Sequence, residues 1–435
     1  GLTGLSNRDF FRGQLRARLA SGVTAALLYV DLDEFKKVND SAGHEAGDTL
    51  LKEVADRLRR CARPGDAVAR LGGDEFAVVL GGGAGVEEAA ATAALILDAI
   101  QAPILVIGAE RRVSASIGIA LIPHHGETVD LLLRNADIAM YQAKERGRNG
   151  VALFSPEMHR RMEERISLEI ALQGAVARNE LRLHYQPITH AGRLSGVEAL
   201  LRWAPAGSEV GPAVFIPLAE QSSLILAIGE WVLRQACADF ARWRAAGIAP
   251  GHISINVAPK QLQSERLLAQ LQAQVRELRM NPAEIQLEVT ESALADGPQA
   301  AATLERLHEL GFRLALDDFG TGYSSLSQLQ RLPFDVVKID RSFIIGLPDS
   351  EVALQLVRTI VHMTQSLDKL AVAEGVETEG QRDLLQELGC SAMQCYLFGK
   401  PVPERQMRGL LQQAANSTRR RSEGAPAEDR DLIKA

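Results

Sequence analysis

The residues of this chain whose types and spacing could do chemistry fall into two groups. In the first, Asp31 follows the apolar run Ala25–Val30, Asp33 lies two residues on, and Asp74-Glu75 stand behind two glycines, Gly72-Gly73. Carboxylates at a strand end and on a neighbouring turn can meet at one divalent ion, and Mg²⁺ takes one or two carboxylates plus substrate phosphates. The paired glycines allow close backbone approach to a ligand. Lys144 and Arg148, four apart at a helix end and so on one face, are cations suited to polyphosphate oxygens. In the second group, acids and amides recur along the chain, Glu198, Asn256, Glu288 with Glu291, Asp317-Asp318, Asp340, Glu374 with Glu377, and Gln394, and with them stands one cation, Lys338. That many converging oxygen ligands are too costly to bury without cations. Oxygen donors with an Asn, and no Cys or His, favour Mg²⁺ or Mn²⁺ over zinc. An adjacent Asp pair can serve two ions, as phosphodiester hydrolysis often requires.

The elements that must position these groups also differ between the halves. The first half alternates strands (Ala25–Val30, Val113–Leu121) with helices (Gly47–Cys61, Val86–Ile100, Val129–Glu145). Ala67–Leu71 and Phe76–Leu80 flank the Gly-Gly turn as a hairpin. This is an α/β domain on one sheet. The second half holds eight strand-like runs, Leu183–Gln186, Val197–Arg202, Ile253–Val257, Ile285–Glu291, Arg313–Asp318, Val336–Asp340, Ala371–Glu377 and Met393–Phe398. From the second run onward helix-length segments separate them, which fits a TIM-type barrel with its acids at the strand C-termini, where barrel active sites are built. Only Thr189–Gly196 separates the first two runs, too short for a parallel crossover, so the first strand should run antiparallel to the second. Between the halves, Met158, Met162, Ile166, Ile170 and Val176 keep a helical period. The expected division is an α/β domain at 1–157, a connector helix at 158–176, a barrel at 177–415 and a disordered polar tail at 416–435.

Composition narrows the class. Of 435 residues, 46% are hydrophobic and 24% charged, which is ordinary globular material and excludes wholesale disorder. A net charge of −7 argues against a nucleic-acid polymer as partner. Four scattered cysteines without a C-x-x-C pair suggest a reducing compartment. No apolar run reaches the roughly 18 residues of a membrane span, so no membrane contact is expected within the chain. A cytoplasmic location is expected, with room for a sensor or anchor ahead of Gly1.

Taken together, the first-half motifs resemble the GGDEF family of diguanylate cyclases over about Leu2–Met158. Leu2-Thr3-Gly4-Leu5 with Asn7-Arg8, Asp31-Leu32-Asp33-Glu34-Phe35-Lys36 with Asn39-Asp40 and Gly47-Asp48, Arg70 to Phe76, and Ala139 to Asn149 carry the likeness. The resemblance implies a cyclase-palm-like fold that joins two GTP into cyclic di-GMP. Asp31 and Glu75 would hold Mg²⁺ with the Leu32 carbonyl, and Glu75 is the catalytic residue. Asn39 and Asp48 would bind guanine, Lys144 and Arg148 the β- and γ-phosphates, and Gly72 and Gly73 would lie against the substrate. Because one domain holds one GTP, a homodimer is implied. Arg63-Pro64-Gly65-Asp66 reads by itself as a turn; the resemblance makes Arg63 and Asp66 an inhibitory product site.

The second half resembles the EAL family of cyclic di-GMP phosphodiesterases over about Leu168–Leu411. Glu198-Ala199-Leu200-Leu201-Arg202-Trp203, Asp317–Leu326, Val337 to Asp340 and Glu374 to Glu377 carry the likeness. The implied metal ligands are Glu198, Asn256, Glu288 and Asp317 for one ion and Asp318 for a second, with Glu374 completing the shell. Lys338 orients or deprotonates the attacking water, with Lys338 and Glu374 as catalytic residues. Gln186, Arg202 and Gln394 touch substrate, and Glu291 braces the loop Asp317–Leu326. The product is linear pGpG. Cys395 and Ser223 stand where the family commonly has Gly, and the loop after Trp203 is short. The leading expectation is a bifunctional enzyme using Mg²⁺ or Mn²⁺ in both domains. Two alternatives are a net phosphodiesterase with a GTP-binding regulatory first domain, and a non-catalytic cyclic di-GMP receptor.

Overall fold

The computed structural model describes the chain from Gly1 to Glu423, apart from residues 107, 297 and 321–325. It divides into two compact units, Gly1–Ser167 and Leu168–Ala435.

The first unit is built on strands β1 (Ala25–Leu32), β2 (Ala67–Gly72), β3 (Glu75–Val79), β4 (Ile104–Val106), β5 (Ala109–Arg111), β6 (Ala115–Ile122) and β7 (Gly150–Leu153). Five of them form one sheet in the order β2-β3-β1-β6-β7, and β4 with β5 forms a separate hairpin. All eight residues of β1 and of β6 are buried, because helices cover both faces of the sheet. Leu28 and Val30 pack towards the helices His44–Cys61 and Val86–Gln101, while Leu27 and Tyr29 pack towards Arg8–Ser21 and Val129–Glu145. A Cβ on Gly118 of β6 would lie 1.9 Å from the Ala136 carbonyl oxygen and 2.2 Å from the Met140 nitrogen. Glycine there lets the helix Val129–Glu145 seat directly on the sheet. The helices Arg8–Ser21 and Phe35–Ala42 were not expected from pattern: the first buries only Phe11 and Leu15, and the second is eight residues long and rests Phe35, Val38 and Ala42 only half-buried against the core.

The second unit contributes β8 (Leu181–His190), β9 (Arg193–Trp203), β10 (His252–Asn256), β11 (Ile285–Thr290), β12 (Arg313–Phe319), β13 (Val336–Ile339), β14 (Leu370–Glu374), β15 (Ala392–Gln394) and the short β16 (Val402–Pro403). β9 to β15 pair in parallel in sequence order, and β15 closes on β8 to complete an eight-stranded barrel. As expected, β8 is antiparallel to β9; their turn has Ala191 at φ +48° and Gly192 at +70°, the tight hairpin geometry matching strand twist. β16 adds to the other edge of β8. Strand C-termini therefore converge at one mouth.

The helix Pro156–Leu172 joins the units. The chain end departs from expectation: Glu404–Glu423 is one helix and so runs through the first part of the tail read as disordered from Asn416. Arg419, Arg420 and Arg421 are good helix formers, and no Gly or Pro interrupts between Asn416 and Gly424. Residues 424–435, and residues 321–325 of the loop Asp317–Leu326, lie outside the described residues.

Candidate active sites of the two units

At the barrel mouth, Lys338 of β13 is 2% exposed and is held by carboxylates from four other strands. Its Nζ lies 2.6 Å from Glu288 Oε2, 2.6 Å from Glu374 Oε1, 3.2 Å from Asp317 Oδ1 and 3.6 Å from Glu198 Oε2. Asn256 donates from Nδ2 to Glu198 Oε1 at 2.6 Å, and Gln394 donates to Glu198 Oε2 and, at 3.2 Å, to Gln186 Oε1. Asp317, Asp318 and Glu374 can each place a carboxylate oxygen within 4.8 Å of the others. Asp318 sits at φ +54°, a strained conformation for a non-glycine residue and one found at working sites. Glu291 accepts the Gly320 N–H at 3.2 Å, tying the start of the following loop to β11.

The electrostatics are those of an under-neutralised acid cluster. Burial pushes Glu288 well above the carboxylate range, and Glu198 adds to the push. Burial also lifts Glu374, to about 7, against the pull of Lys338. Glu198 feels the same burial, but Lys338, Gln394 and Asn256 outweigh it and hold it below its ordinary value. Lys338 is raised by Asp317, Glu198, Glu288 and Glu374 although its burial opposes this. Glu198, Glu288, Asp317, Asp318 and Glu374 thus face a single ammonium. Hard oxygen donors in excess of their cation, with the buried Gln394 Oε1 lacking a hydrogen-bond partner, fit a divalent ion. A cavity of about 260 Å³ opens over the cluster, lined by Gln186, Glu198, Asp317, Lys338, Glu374 and Gln394, with Arg341, Glu377, Cys395 and Tyr396 around them.

Arg202 is not brought into that cavity: it reaches the Leu201 carbonyl at 2.8 Å and Glu209 at 3.6 Å. Arg341, paired with Glu377 at 2.6 Å, lines the mouth instead. Its signal in the sequence was its place directly after Asp340 at a strand end. Cys395 is 1% exposed and burial pushes its thiol up.

In the first unit, Asp31 and Glu75 are directly opposed across β1 and β3. The turn between β2 and β3 has Gly73 at φ +51°, and Arg70 clamps the Gly73 carbonyl with two N–H bonds of 2.9 and 2.7 Å. Lys144 Nζ lies 2.6 Å from Asp31 Oδ1. Burial lifts the Asp31 carboxyl to about 6, Lys144 resisting and Asp74 and Glu75 adding to the lift. Tyr29 and Asp137 join this cluster unforeseen. Burial and then Glu75 raise both. Tyr29 precedes Asp31 by two on a strand and Asp137 precedes Lys144 by seven on a helix, spacings that share a face. Gly47, whose Cβ would be 2.0 Å from Asn39 Oδ1, brings Asn39 against the turn bearing Asp48.

Two expected groupings differ, and the Arg63–Asp66 turn is internally bonded. Asp33 is not a free ligand: it accepts from the Ser114 hydroxyl at 2.6 Å, the Ser116 hydroxyl at 2.8 Å and the Asn149 N–H at 3.1 Å. Lys144 and Arg148 do not share a helix face, because the helix ends at Glu145 and Arg148 adopts φ +61° beyond it. Asp66 accepts the Arg63 and Gly81 N–H groups at 2.8 and 2.7 Å, and the Arg63 guanidinium is paired with Glu88.

Residues 169–401 match the family model of the EAL domain, and residues 1–150 that of the diguanylate cyclase, GGDEF domain. The chain belongs to the EAL family. Within it, this is a tandem GGDEF–EAL protein. It is 42% identical over 414 residues to the bifunctional diguanylate cyclase/cyclic di-GMP phosphodiesterase MucR of Pseudomonas aeruginosa, covering 93% of this chain and 60% of MucR. To the cyclic di-GMP phosphodiesterase PdeR of Escherichia coli it is 38% identical over 407 residues, covering 92% of this chain and 61% of PdeR. The PaMucR phosphodiesterase in its c-di-GMP complex is 40% identical, with 55% of this chain and 99% of that chain covered and a TM-score of 0.53. The chain spans about half to three fifths of the length of the curated relatives it matches. Among the described residues no helix is long and apolar enough to cross a membrane.

Proposed function

We propose that this chain turns over cyclic di-GMP, hydrolysing it to pGpG at the barrel mouth and forming it from two GTP on the first unit. The observation that carries the hydrolytic reading is Lys338, gripped by four carboxylates from four strands beside the pair Asp317-Asp318. Glu198, Asn256, Glu288 and Asp317 would hold one Mg²⁺ or Mn²⁺, and Asp318 with Glu374 a second. Bound there, the ions supply charge neutralisation at the phosphodiester and acidify the attacking water. Lys338 orients that water and holds its proton balance with Glu374, while Gln186 and Gln394 position substrate oxygens. Arg202 reaches substrate by exchanging its partner Glu209.

On the first unit, Asp31 and Glu75 would hold Mg²⁺, and Lys144, once free of Asp31, would hold the nucleotide phosphates. Asn39 and Asp48 read guanine. Each 3′-hydroxyl attacks the other nucleotide's α-phosphorus and pyrophosphate leaves, which calls for two copies of the chain. Product binding at Arg63 and Asp66 requires Arg63 to release Glu88. A second reading, a net phosphodiesterase whose GGDEF unit binds GTP as a regulator, is favoured by the Lys144–Asp31 pair, which a metal at Asp31 would have to displace. Time courses with GTP and Mg²⁺, and separately with cyclic di-GMP, decide between them. GTP passing to pGpG supports bifunctionality. Untouched GTP with cleaved cyclic di-GMP supports the second reading, and binding without turnover overturns both in favour of a receptor.

A further inference from the structure

Inside the barrel, just beneath the polar groups of its mouth, the strands carry two kinds of residue. Side chains two apart on a strand share a face, so the residue two before each mouth residue lies one level deeper. On β12 to β15 these are Ala315, Val336, Val372 and Ala392, and they form one buried apolar cluster. On β10 and β11, beneath Asn256 and Glu288, they are Ser254 and Gln286, 0% and 2% exposed. The two stand side by side in the register of β10 and β11. Gln286 Nε2 donates to the Ser254 hydroxyl at 2.9 Å and to Glu288 Oε1 at 3.4 Å. Glu288 Oε2 takes Lys338 Nζ at 2.6 Å, so each oxygen of this carboxylate has its own donor. We propose that Gln286 is a positioning residue for hydrolysis: anchored on Ser254, it sets the orientation of the Glu288 carboxylate and, through it, the affinity of the mouth for a divalent ion. The inference rests on the reading of the barrel mouth as a metal site.

The amide is retained against a physical cost. Gln286 Oε1 is buried without a hydrogen-bond partner. Such an acceptor destabilises a fold, and an apolar side chain like those at the same depth on β12 to β15 would avoid the loss. What the amide supplies is a second N–H aimed at Glu288. Its orientation follows from charge: an ionised carboxylate only accepts, so the opposite amide orientation would set oxygen against oxygen. Neither Gln286 nor Ser254 lines the cavity over the cluster, so their effect must pass through Glu288. Donors behind a ligating side chain hold it in one geometry, and losing them weakens metal binding by about 10- to 100-fold.

The test is calorimetric titration of the whole chain with manganese chloride, beside initial rates of cyclic di-GMP hydrolysis over a range of Mn²⁺. All variants are made on E75Q, which removes a ligand from the first unit's own cluster. Q286M keeps the length of the side chain without its donors, S254A removes only the anchor, and V372A thins the apolar side at the same depth. Q286M should bind Mn²⁺ about tenfold or more weaker than its parent, and S254A should weaken it in the same direction by less. In Q286M the Mn²⁺ needed for half-maximal hydrolysis should rise by the same factor, with KM for cyclic di-GMP unchanged. V372A should lower the thermal midpoint in EDTA and leave Mn²⁺ affinity as it was. Where Q286M fails to fold, S254A decides alone. Unchanged Mn²⁺ affinity in both Q286M and S254A overturns the role of Gln286 and leaves the metal reading standing. An equal loss of affinity in V372A shows packing in place of positioning and also overturns it. A parent that binds no Mn²⁺ overturns the metal reading itself, and the proposal with it.

Discussion

Lys338 shows what one residue carries in this protein. Its ammonium is the internal counter-ion of four carboxylates, three of them buried, so replacing it with Met leaves them uncompensated. Without metal, K338M should lose on the order of 3–5 kcal/mol in urea unfolding, since one partner of a buried ion cluster is gone. Hydrolysis of cyclic di-GMP should fall at least about a hundredfold in initial rate, the scale of a lost proton-handling group. Glu374 makes a pH prediction. Burial raises its carboxyl from 4.5 to about 7, so in this window the native state keeps a proton that the unfolded chain has released. Stability in EDTA therefore declines as pH rises from about 4.5 to about 7 through this group. E374Q should flatten that slope in thermal melts at pH 5 and 7.5; an unchanged slope would show that Glu374 is not the group responsible. The acids themselves were legible because they stand in pairs at strand ends. Their pairing was not: which carboxylates take Lys338, that Lys144 rests on Asp31, and that Asp33 serves three donors all depend on partners from 21 (Asp317 to Lys338) to 140 (Glu198 to Lys338) residues away.

At the scale of elements, Gly118 decides whether the first unit's helix can lie on its sheet. G118A should cost about 1–3 kcal/mol by overpacking, read in urea unfolding. Because the same helix carries Lys144 and Asp137, affinity for GTP should fall with it in calorimetry. The barrel strands and the antiparallel β8 could be read ahead because fully buried strands write continuous apolar runs and a short gap forbids a crossover. The helix Phe35–Ala42 could not: it buries no residue, and Glu34 at φ +58° starts it without a side-chain cap. Nor could β16, two residues long and defined only by its partner β8.

For the molecule as a whole, each unit has its own apolar core and its own acid cluster. The two chemistries should therefore be separable. E198Q should abolish loss of cyclic di-GMP while GTP consumption persists, and E75Q should do the reverse, both read by resolving nucleotides over time. Loss of both activities from either change would refute independent sites. The sequence division into two unlike halves was readable from the switch in element pattern. The continued helix to Glu423 was not, because polar composition alone does not distinguish a solvated helix from a tail.

Barrel closure also constrains how the protein is made. Thr189 on β8 bonds Met393 on β15, 204 residues later in the chain. At the usual pace of synthesis, about 5–20 residues per second, β8 waits roughly 10–40 s for the strand that covers its open edge. Through that interval the nascent barrel is a growing sheet with bare edges, the state most prone to pair with a neighbour on the same message. The GGDEF unit, emerging first and needing nothing downstream of it, can fold before the wait begins. A ribosome stalled short of residue 392 would thus carry a finished first unit and a sticky, catalytically silent second one.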